Sequence, residues 1–226
     1  FTWNDSSWMA ERKKYDDRRQ PVSIYETSLG QWESGKELVT FAKEKGYTHV
    51  ELHPVMEFLE DGSDGYPTSA YFAVSTRYGT PADFAALVDE LHQVGIGVIL
   101  DWSPAQFPRY AGGLEKFDGT PLYEVKDPEM AVHPMWGTML YNYDSPMVMD
   151  FLISNACFWL EIFHVDGLRM DDVDAMLYLD YGRKDGWTPN MYGSNENLQA
   201  IEFLKHLNSI LKKRDPGALL IAQEDG

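Results

Sequence analysis

Short apolar runs alternate with longer amphipathic stretches along most of the chain. Runs rich in apolar residues predict five strands, at 22–29, 48–55, 95–102, 163–170 and 217–224. Between these runs, apolar residues at helical spacing predict helices at about 36–46, 81–94, 146–163 and 195–213. Regular alternation of strand and helix is typical of a parallel sheet with right-handed crossovers.

Helix boundary residues agree with this pattern. Pro81 follows Thr80 and suits the first turn of a helix, where its missing N–H has no partner to lose. Gly46, Gly95 and Gly217 fall where helices should end, a position that favours glycine.

Two long segments, 57–78 and 103–145, interrupt the alternation and are rich in Gly, Pro, Asp and aromatic residues. They follow the carboxyl ends of the second and third strands, where α/β proteins place functional loops. No G-x-G-x-x-G follows the first strand, which weakens a nucleotide-binding interpretation. We therefore predict an α/β fold of the (β/α)8 TIM-barrel type. Residues 1–226 would form one partial barrel domain with about the first five β/α units.

Composition restricts the partners and the compartment. The formal net charge of −17 argues against binding to nucleic acid or to an anionic membrane surface. A solvated surface that keeps the protein soluble explains this acidity better than a role in recognition does. Cys157 is the one cysteine, so no disulfide framework exists and a cytoplasmic location is expected. No apolar run approaches the roughly 20 residues that a membrane span needs.

Polar residues stand at the ends of three predicted strands: Asp101, Arg169 with Asp171, and Gln223 with Glu224. In a barrel these ends converge. Arg169 and Asp171 are two residues apart, so an extended strand directs both side chains to the same face. A carboxylate beside an arginine stays ionised, which suits a nucleophile. An ion pair that only joins strand ends is the alternative.

Glycoside chemistry needs two carboxyl groups, about 5–5.5 Å apart in a retaining enzyme. Asp171 and an acid on the fifth strand would supply them. Aromatic residues in or beside the long loops offer flat surfaces for sugar rings, with ordinary packing as the alternative: Tyr66, Trp102, Tyr141 and Tyr143.

The stretch HVELH raises a metal site as a weaker hypothesis. At period two, His49, Glu51 and His53 would share one strand face. No fourth ligand and no H-E-x-x-H motif supports it, so we expect neither a metal nor a cofactor.

Several longer motifs resemble the catalytic domain of the 1,4-α-glucan (glycogen) branching enzymes of the α-amylase superfamily. They are ELHPVMEF, DGSDGY, YFAVSTRYGTPADF, GIGVILDW, FDGTPLYE, DGLRMDDVDAMLYLDYGRKDGW and NENLQAIEFLKHLN. The MLYLDY run separates branching enzymes from ordinary amylases. The resemblance implies a (β/α)8 barrel and a transferase of glycogen biosynthesis. It would cut an α-1,4 bond of an α-1,4-glucan (glycogen or amylose-like), form a glucosyl-enzyme and pass the chain to a 6-hydroxyl.

The resemblance also assigns roles to four residues. Asp171 matches the family's nucleophile and Arg169 its partner. Asp101 matches the aspartate after the third strand that shapes the site, and Tyr66 matches the tyrosine of the loop after the second strand.

Three positions depart from the family pattern. Asp64 replaces a sugar-contacting tryptophan, and Gln106 replaces a histidine that donates to the sugar. Gln223 stands where the family has its acid/base glutamate, and an amide cannot donate the proton that a leaving oxygen needs. Glu224 is a poor substitute, since one step along a strand turns a side chain to the other face.

Three interpretations follow for function. The chain belongs to a working but impaired branching enzyme, to an inactive homologue that binds α-glucan, or to a fragment without activity. Five strands leave the barrel open, and the family's third acid, after the seventh strand, is absent from residues 1–226. The sequence therefore predicts a segment of a catalytic domain.

Overall fold

The computed structural model describes residues 1–14 and 20–224. Its α-helices are Ser6–Arg12 (α1), Gly35–Lys45 (α2), Pro81–Gln93 (α3), Pro128–Ala131 (α4), Pro146–Ile162 (α5), Val173–Leu177 (α6) and Leu198–Arg214 (α7). Its strands are Ile24–Thr27 (β1), His49–Leu52 (β2), Met56–Phe58 (β3), Thr68–Val74 (β4), Gly97–Trp102 (β5), Gln106–Phe107 (β6), Met139–Leu140 (β7), Gly167–Met170 (β8) and Leu219–Ala222 (β9). Short 3-10 helices lie at Leu29–Gln31 and Thr76–Tyr78.

The five predicted strands form one sheet in the order β1-β2-β5-β8-β9, and every neighbouring pair in it is parallel. This confirms an α/β fold of the TIM-barrel type with about five units. The strands are shorter than predicted. The strand β8 begins only at Gly167, because α5 continues to Ile162 and His164 turns the chain at φ 56°.

The two faces of this sheet differ in chemistry. One face carries apolar residues such as Val50, Leu52, Val98 and Leu100, which are fully buried in the core beneath the helices. Alternate residues point the other way, so the opposite face receives the charged ones. Residue pairing places Glu26 beside Glu51, and Asp101 beside Arg169. Folding thus concentrates charge on one face of the sheet.

Both long segments contain strands that the sequence analysis did not predict. The first includes most of the antiparallel β3–β4 pair, and the second includes β6–β7. Tyr71 on β4 donates its hydroxyl proton to the carbonyl of Gln106 on β6 at 3.0 Å. The two segments are therefore joined to each other above the sheet.

Local sequence explains where the helices begin and end. Thr80 and Asp83 form a capping box at the start of α3, and Gly46 ends α2 at φ 75°. Gly217 has a different role from the predicted one, because α7 ends at Arg214 and is capped by Asp215. A Cβ at Gly217 would lie 1.8 Å from the carbonyl oxygen of Arg12, so this glycine allows the close approach of α1.

Helix α1 was not predicted, and it packs against the amino ends of the sheet strands. Its Trp8 indole and Arg12 guanidinium both donate to the carboxylate of Asp166, directly before β8. Among the residues that the structure describes, no helix combines the length and the apolar character needed to cross a bilayer.

Candidate active site

Arg169, the third residue of β8, lies among three carboxylates at the carboxyl ends of the strands. Its Nη1 is 3.1 Å from Asp101 Oδ2 and 3.6 Å from Asp171 Oδ1, and its Nε is 3.5 Å from Glu51 Oε1. Asp171 directly follows β8, where its N–H donates to the carbonyl of Trp102 at the end of β5. The structure therefore brings together the three strand-end residues Asp101, Arg169 and Asp171.

Tyr66 joins this cluster from the loop between β3 and β4. Its hydroxyl donates to Asp101 Oδ2 at 2.5 Å and lies 3.5 Å from Arg169 Nη1. Burial, and then the hydrogen bond to Asp101, raise the pKa of Tyr66. Burial also raises the pKa of Asp101, against the opposing effects of Tyr66 and Arg169. Tyr66 therefore stays a neutral donor, and it contacts both Asp101 and Arg169.

Glu51 is a buried member of the cluster that the sequence analysis considered only as a metal ligand. Burial and the neighbouring Asp101 raise its pKa to about 7, while Arg169 lowers it. Its place in the sequence could have predicted membership of the cluster, because Glu51 lies on the face of β2 that carries the charged residues and pairs with Glu26 of β1.

Gln223 is fixed against the chain that follows β8. Its N–H donates to the carbonyl of Met170, its carbonyl accepts from Val173, and its side-chain Oε1 accepts from the N–H of Asp172 at 3.3 Å. The Gln223 side chain is thus held beside the segment that carries Asp171.

Glu224 is exposed and faces the helix side of the sheet. It lines a groove with Leu220 and Ala222 of β9 and with Leu204 and Lys212 of α7. The prediction that one step along the chain turns Glu224 away from Gln223 agrees with this position.

Two other departures from the family pattern have local partners. Gln106 is buried in β6, and its side-chain oxygen accepts a hydrogen bond from the Thr138 hydroxyl. Asp64 is exposed, and its carboxylate accepts from the N–H of Tyr66 at 3.3 Å. Asp64 therefore shapes the turn that presents Tyr66 to the cluster.

The predicted aromatic surfaces are wrong for three of the four residues. Trp102, Tyr141 and Tyr143 are at most 5% exposed and pack in the core. The indole N–H of Trp102 donates to Asn155, and the Tyr143 hydroxyl donates to the carbonyl of Pro104. These three rings are buried in the hydrophobic core and offer no surface to a sugar. Of the four residues, Tyr66 alone has intermediate exposure.

His133 links the 103–145 segment to the residue after Asp171, a contact that sequence spacing could not indicate. Its Nε2 lies 3.3 Å from Asp172 Oδ2, and both side chains are buried. Trp136 stacks on the His133 ring with centroids 4.2 Å apart. Asp172 has a left-handed backbone at φ 59°, unusual for a residue other than glycine.

The metal hypothesis for HVELH is wrong as a set of three residues. His49 and His53 are four residues apart along an extended chain, which separates them by roughly 13 Å. His49 lies at the amino end of β2 and contacts the Thr48 hydroxyl. His53 instead lies near Glu26 and Asp101, and one ligand atom from each residue falls within 4.8 Å of the others.

Comparison with known proteins shows what the chain is similar to. Residues 12–104 match the model of the alpha amylase catalytic domain. The chain is 50% identical to the 1,4-alpha-glucan branching enzyme of Thermobifida fusca, over 99% of this chain and 31% of that protein. It is also 50% identical to the enzyme of that name from Methylococcus capsulatus, over 99% of this chain and 32% of that protein.

A solved structure agrees on the fold. The crystal structure of a Salmonella typhimurium protein, provisionally described as an alpha amylase, matches with a TM-score of 0.71 at 22% identity, over 98% of this chain and 34% of that one. The chain spans about a third of the length of the curated relatives it matches. Over nearly its whole length the chain therefore resembles 1,4-alpha-glucan branching enzymes, and residues 12–104 of it match the alpha amylase catalytic domain.

Proposed function

We propose that this segment forms the nucleophile side of a glucan-binding cleft in a 1,4-α-glucan branching enzyme whose turnover is impaired. The reaction is the transfer of an α-1,4-glucan chain to a 6-hydroxyl, with retention of configuration, in glycogen biosynthesis. The observation that carries the proposal is the cluster of Tyr66, Asp101, Arg169 and Asp171 at the carboxyl ends of β5 and β8.

Each side chain has a chemical task in this proposal. Asp171 attacks the anomeric carbon, and the guanidinium of Arg169 at 3.6 Å holds it as a carboxylate. Asp101 accepts hydrogen bonds from sugar hydroxyls, and Tyr66 fixes the orientation of Asp101 through its hydroxyl. Buried, ion-paired groups of this kind are ordered before substrate arrives, which favours the transition state.

Impairment rests on Gln223. An amide can donate a hydrogen bond to the leaving oxygen but cannot transfer a proton to it, and general acid catalysis typically contributes a factor of about 10²–10⁴ in rate. Glu224 does not replace it, since this residue lies in the groove that faces α7.

Restoring the acid tests this proposal. The protein expressed from its complete gene is incubated with amylose, and new α-1,6 linkages are quantified by proton NMR. Gln223→Glu should raise the branching rate by about 10²–10⁴. Asp171→Asn, in the background of Gln223→Glu, should abolish it. A parent protein that branches as fast as the Gln223→Glu variant would contradict impairment.

The second candidate is an α-glucan-binding protein without turnover. It is favoured by the fixed hydrogen bond of Gln223 to Asp172 and by the altered residues Asp64 and Gln106. In this case amylose retards the protein in affinity electrophoresis, and Gln223→Glu combined with Gln106→His still yields no branches. Recovered branching in the double variant would exclude this candidate.

A further inference from the structure

We propose that Glu26, His53 and Asp101 form a binding site for a divalent transition-metal ion, with Zn²⁺ as its representative, on the floor of the cleft. The three residues come from the carboxyl ends of the neighbouring strands β1, β2 and β5. One ligand atom from each lies within 4.8 Å of the other two, and His53 Nε2 is 3.0 Å from Glu26 Oε1. The roles proposed for the residues around Arg169 require neither His53 nor Glu26.

An unsatisfied buried oxygen supports the site independently. Asp101 is fully buried, and its Oδ2 receives the hydrogen bonds of both Tyr66 and Arg169. Its Oδ1 has no hydrogen-bond partner among the described residues. A buried carboxylate oxygen without a partner is costly, and a bound cation would supply the missing interaction.

The local charge also favours a cation. Arg169 is in contact with Glu51, Asp101 and Asp171, and Glu26 joins the group through His53. Carboxylates therefore outnumber the guanidinium in this connected set. A divalent ion bound beside Asp101 would reduce the repulsion between these groups, most strongly where burial lowers the effective dielectric constant.

The donor atoms select the class of metal. One imidazole nitrogen with two carboxylate oxygens suits Zn²⁺ and its first-row neighbours, whereas Mg²⁺ and Ca²⁺ prefer oxygen ligands alone. Bonds of about 2.0–2.2 Å place tetrahedral ligands roughly 3.4 Å apart, so ligand atoms that now lie within 4.8 Å of one another need only small shifts to bind one ion. The Glu26 and His53 side chains, 56% and 32% exposed, have the freedom to make these shifts.

Calorimetric titration of Zn²⁺ into chelator-treated protein, expressed from its complete gene and without glucan, tests the site. The parent protein should bind Zn²⁺ saturably, and His53→Asn should weaken this binding by about 10-fold or more. His206→Asn is the matched control, because His206 is an exposed histidine on α7. It should leave the affinity unchanged.

A second variant distinguishes the loss of a metal ligand from a folding defect. Glu26→Gln changes a largely exposed side chain and should also weaken Zn²⁺ binding, with the far-ultraviolet circular dichroism of the parent retained. Absence of saturable binding to the parent, or equal affinity in the parent and His53→Asn, would overturn the proposal. Because glucan is absent, neither outcome depends on the proposed branching activity.

Zn²⁺ and α-glucan should compete for Asp101, an inference that rests on the proposed function. Asp101 would bind either the ion or the sugar, so Zn²⁺ should weaken amylose binding to the parent protein and have a smaller effect on His53→Asn. Zn²⁺ binding that leaves amylose affinity unchanged would place the ion outside the sugar-binding surface and overturn this part alone.

Discussion

Arg169 is the cation that Glu51, Asp101 and Asp171 share at the carboxyl ends of the strands. Burial lowers the pKa of its guanidinium. The three carboxylates and Tyr66 together raise this pKa by more than burial lowers it, so the net shift is upward. Its side chain is 16% exposed, and those of Glu51 and Asp101 are less exposed still. The positive charge is therefore needed to keep these carboxylates close together.

Replacement of this cation should be costly. We expect Arg169→Met to lower the free energy of unfolding by about 3 kcal/mol, since it leaves buried carboxylates without a counter-charge. Urea denaturation followed by circular dichroism measures the change. Arg109→Met is the control, because Arg109 pairs with Glu115 at the surface, where such pairs contribute about 1 kcal/mol or less. Equal losses in the two variants would contradict the role given to Arg169.

At the residue scale, sequence predicted the members of the cluster better than their partners. The proximity of Asp101, Arg169 and Asp171 could be predicted from the sequence, because the ends of parallel strands converge whatever packs around them. The partners of Gln106 and Asp64, and the burial of Tyr141 and Tyr143, depend on how the two long segments fold back. The proximity of Glu26, His53 and Asp101 likewise joins three strands, and local periodicity carries no information on it.

Among the elements, α1 depends on a single close backbone approach. Gly217→Ala should displace this helix, since the new Cβ would overlap the Arg12 carbonyl. Overpacking of this kind costs about 1–3 kcal/mol, and it should speed amide hydrogen exchange in Ser6–Arg12. Gly30→Ala is the control, because its Cβ would meet neighbours only at 3.8 Å or beyond. Unchanged exchange in Gly217→Ala would show that α1 does not need this contact.

Elements with strong local signals were predicted well, and those defined by tertiary contacts were not. Helix α3 has a capping box, Pro81 and a regular apolar face, and its predicted end at 94 differs from the observed one by one residue. The strands β6 and β7 are two residues long and exist because they pair with each other. Helix α1 contains polar and aromatic residues whose partners lie in distant parts of the chain.

Across the whole molecule, a buried polar network joins the amino ends of the strands to α1, α3 and the end of α7. Asp166 is its centre: it accepts from Trp8, Arg12, His92 and the backbone N–H of Val98. The other ionisable groups that face this network are Asp5, which contacts His92 and His164, together with Asp215 and His49. Segments far apart in sequence therefore depend on one carboxylate.

This network makes the stability of the fold sensitive to acid. Burial raises the pKa of Asp166, but His92, Arg12 and the Val98 N–H together lower it to about 2. Because the folded-state pKa lies below the ordinary value of 3.8, ionised Asp166 stabilises the fold above about pH 4, and this contribution is lost as the pH falls toward 2. The shift corresponds to about 2 kcal/mol.

The change of unfolding free energy with pH tests this mechanism. Urea denaturation at pH 6, 4 and 3 should show a steeper loss of stability toward acid in the parent protein than in Asp166→Asn, which has no carboxylate to protonate. Asp166→Asn should also be less stable than the parent at pH 6, because asparagine is neutral and cannot form ion pairs with Arg12 and His92. Asp150→Asn, at an exposed position on α5, should keep the parent's pH dependence. If Asp166→Asn loses stability toward acid as steeply as the parent does, the acid sensitivity lies in other carboxylates and Asp166 does not hold the network together through its charge.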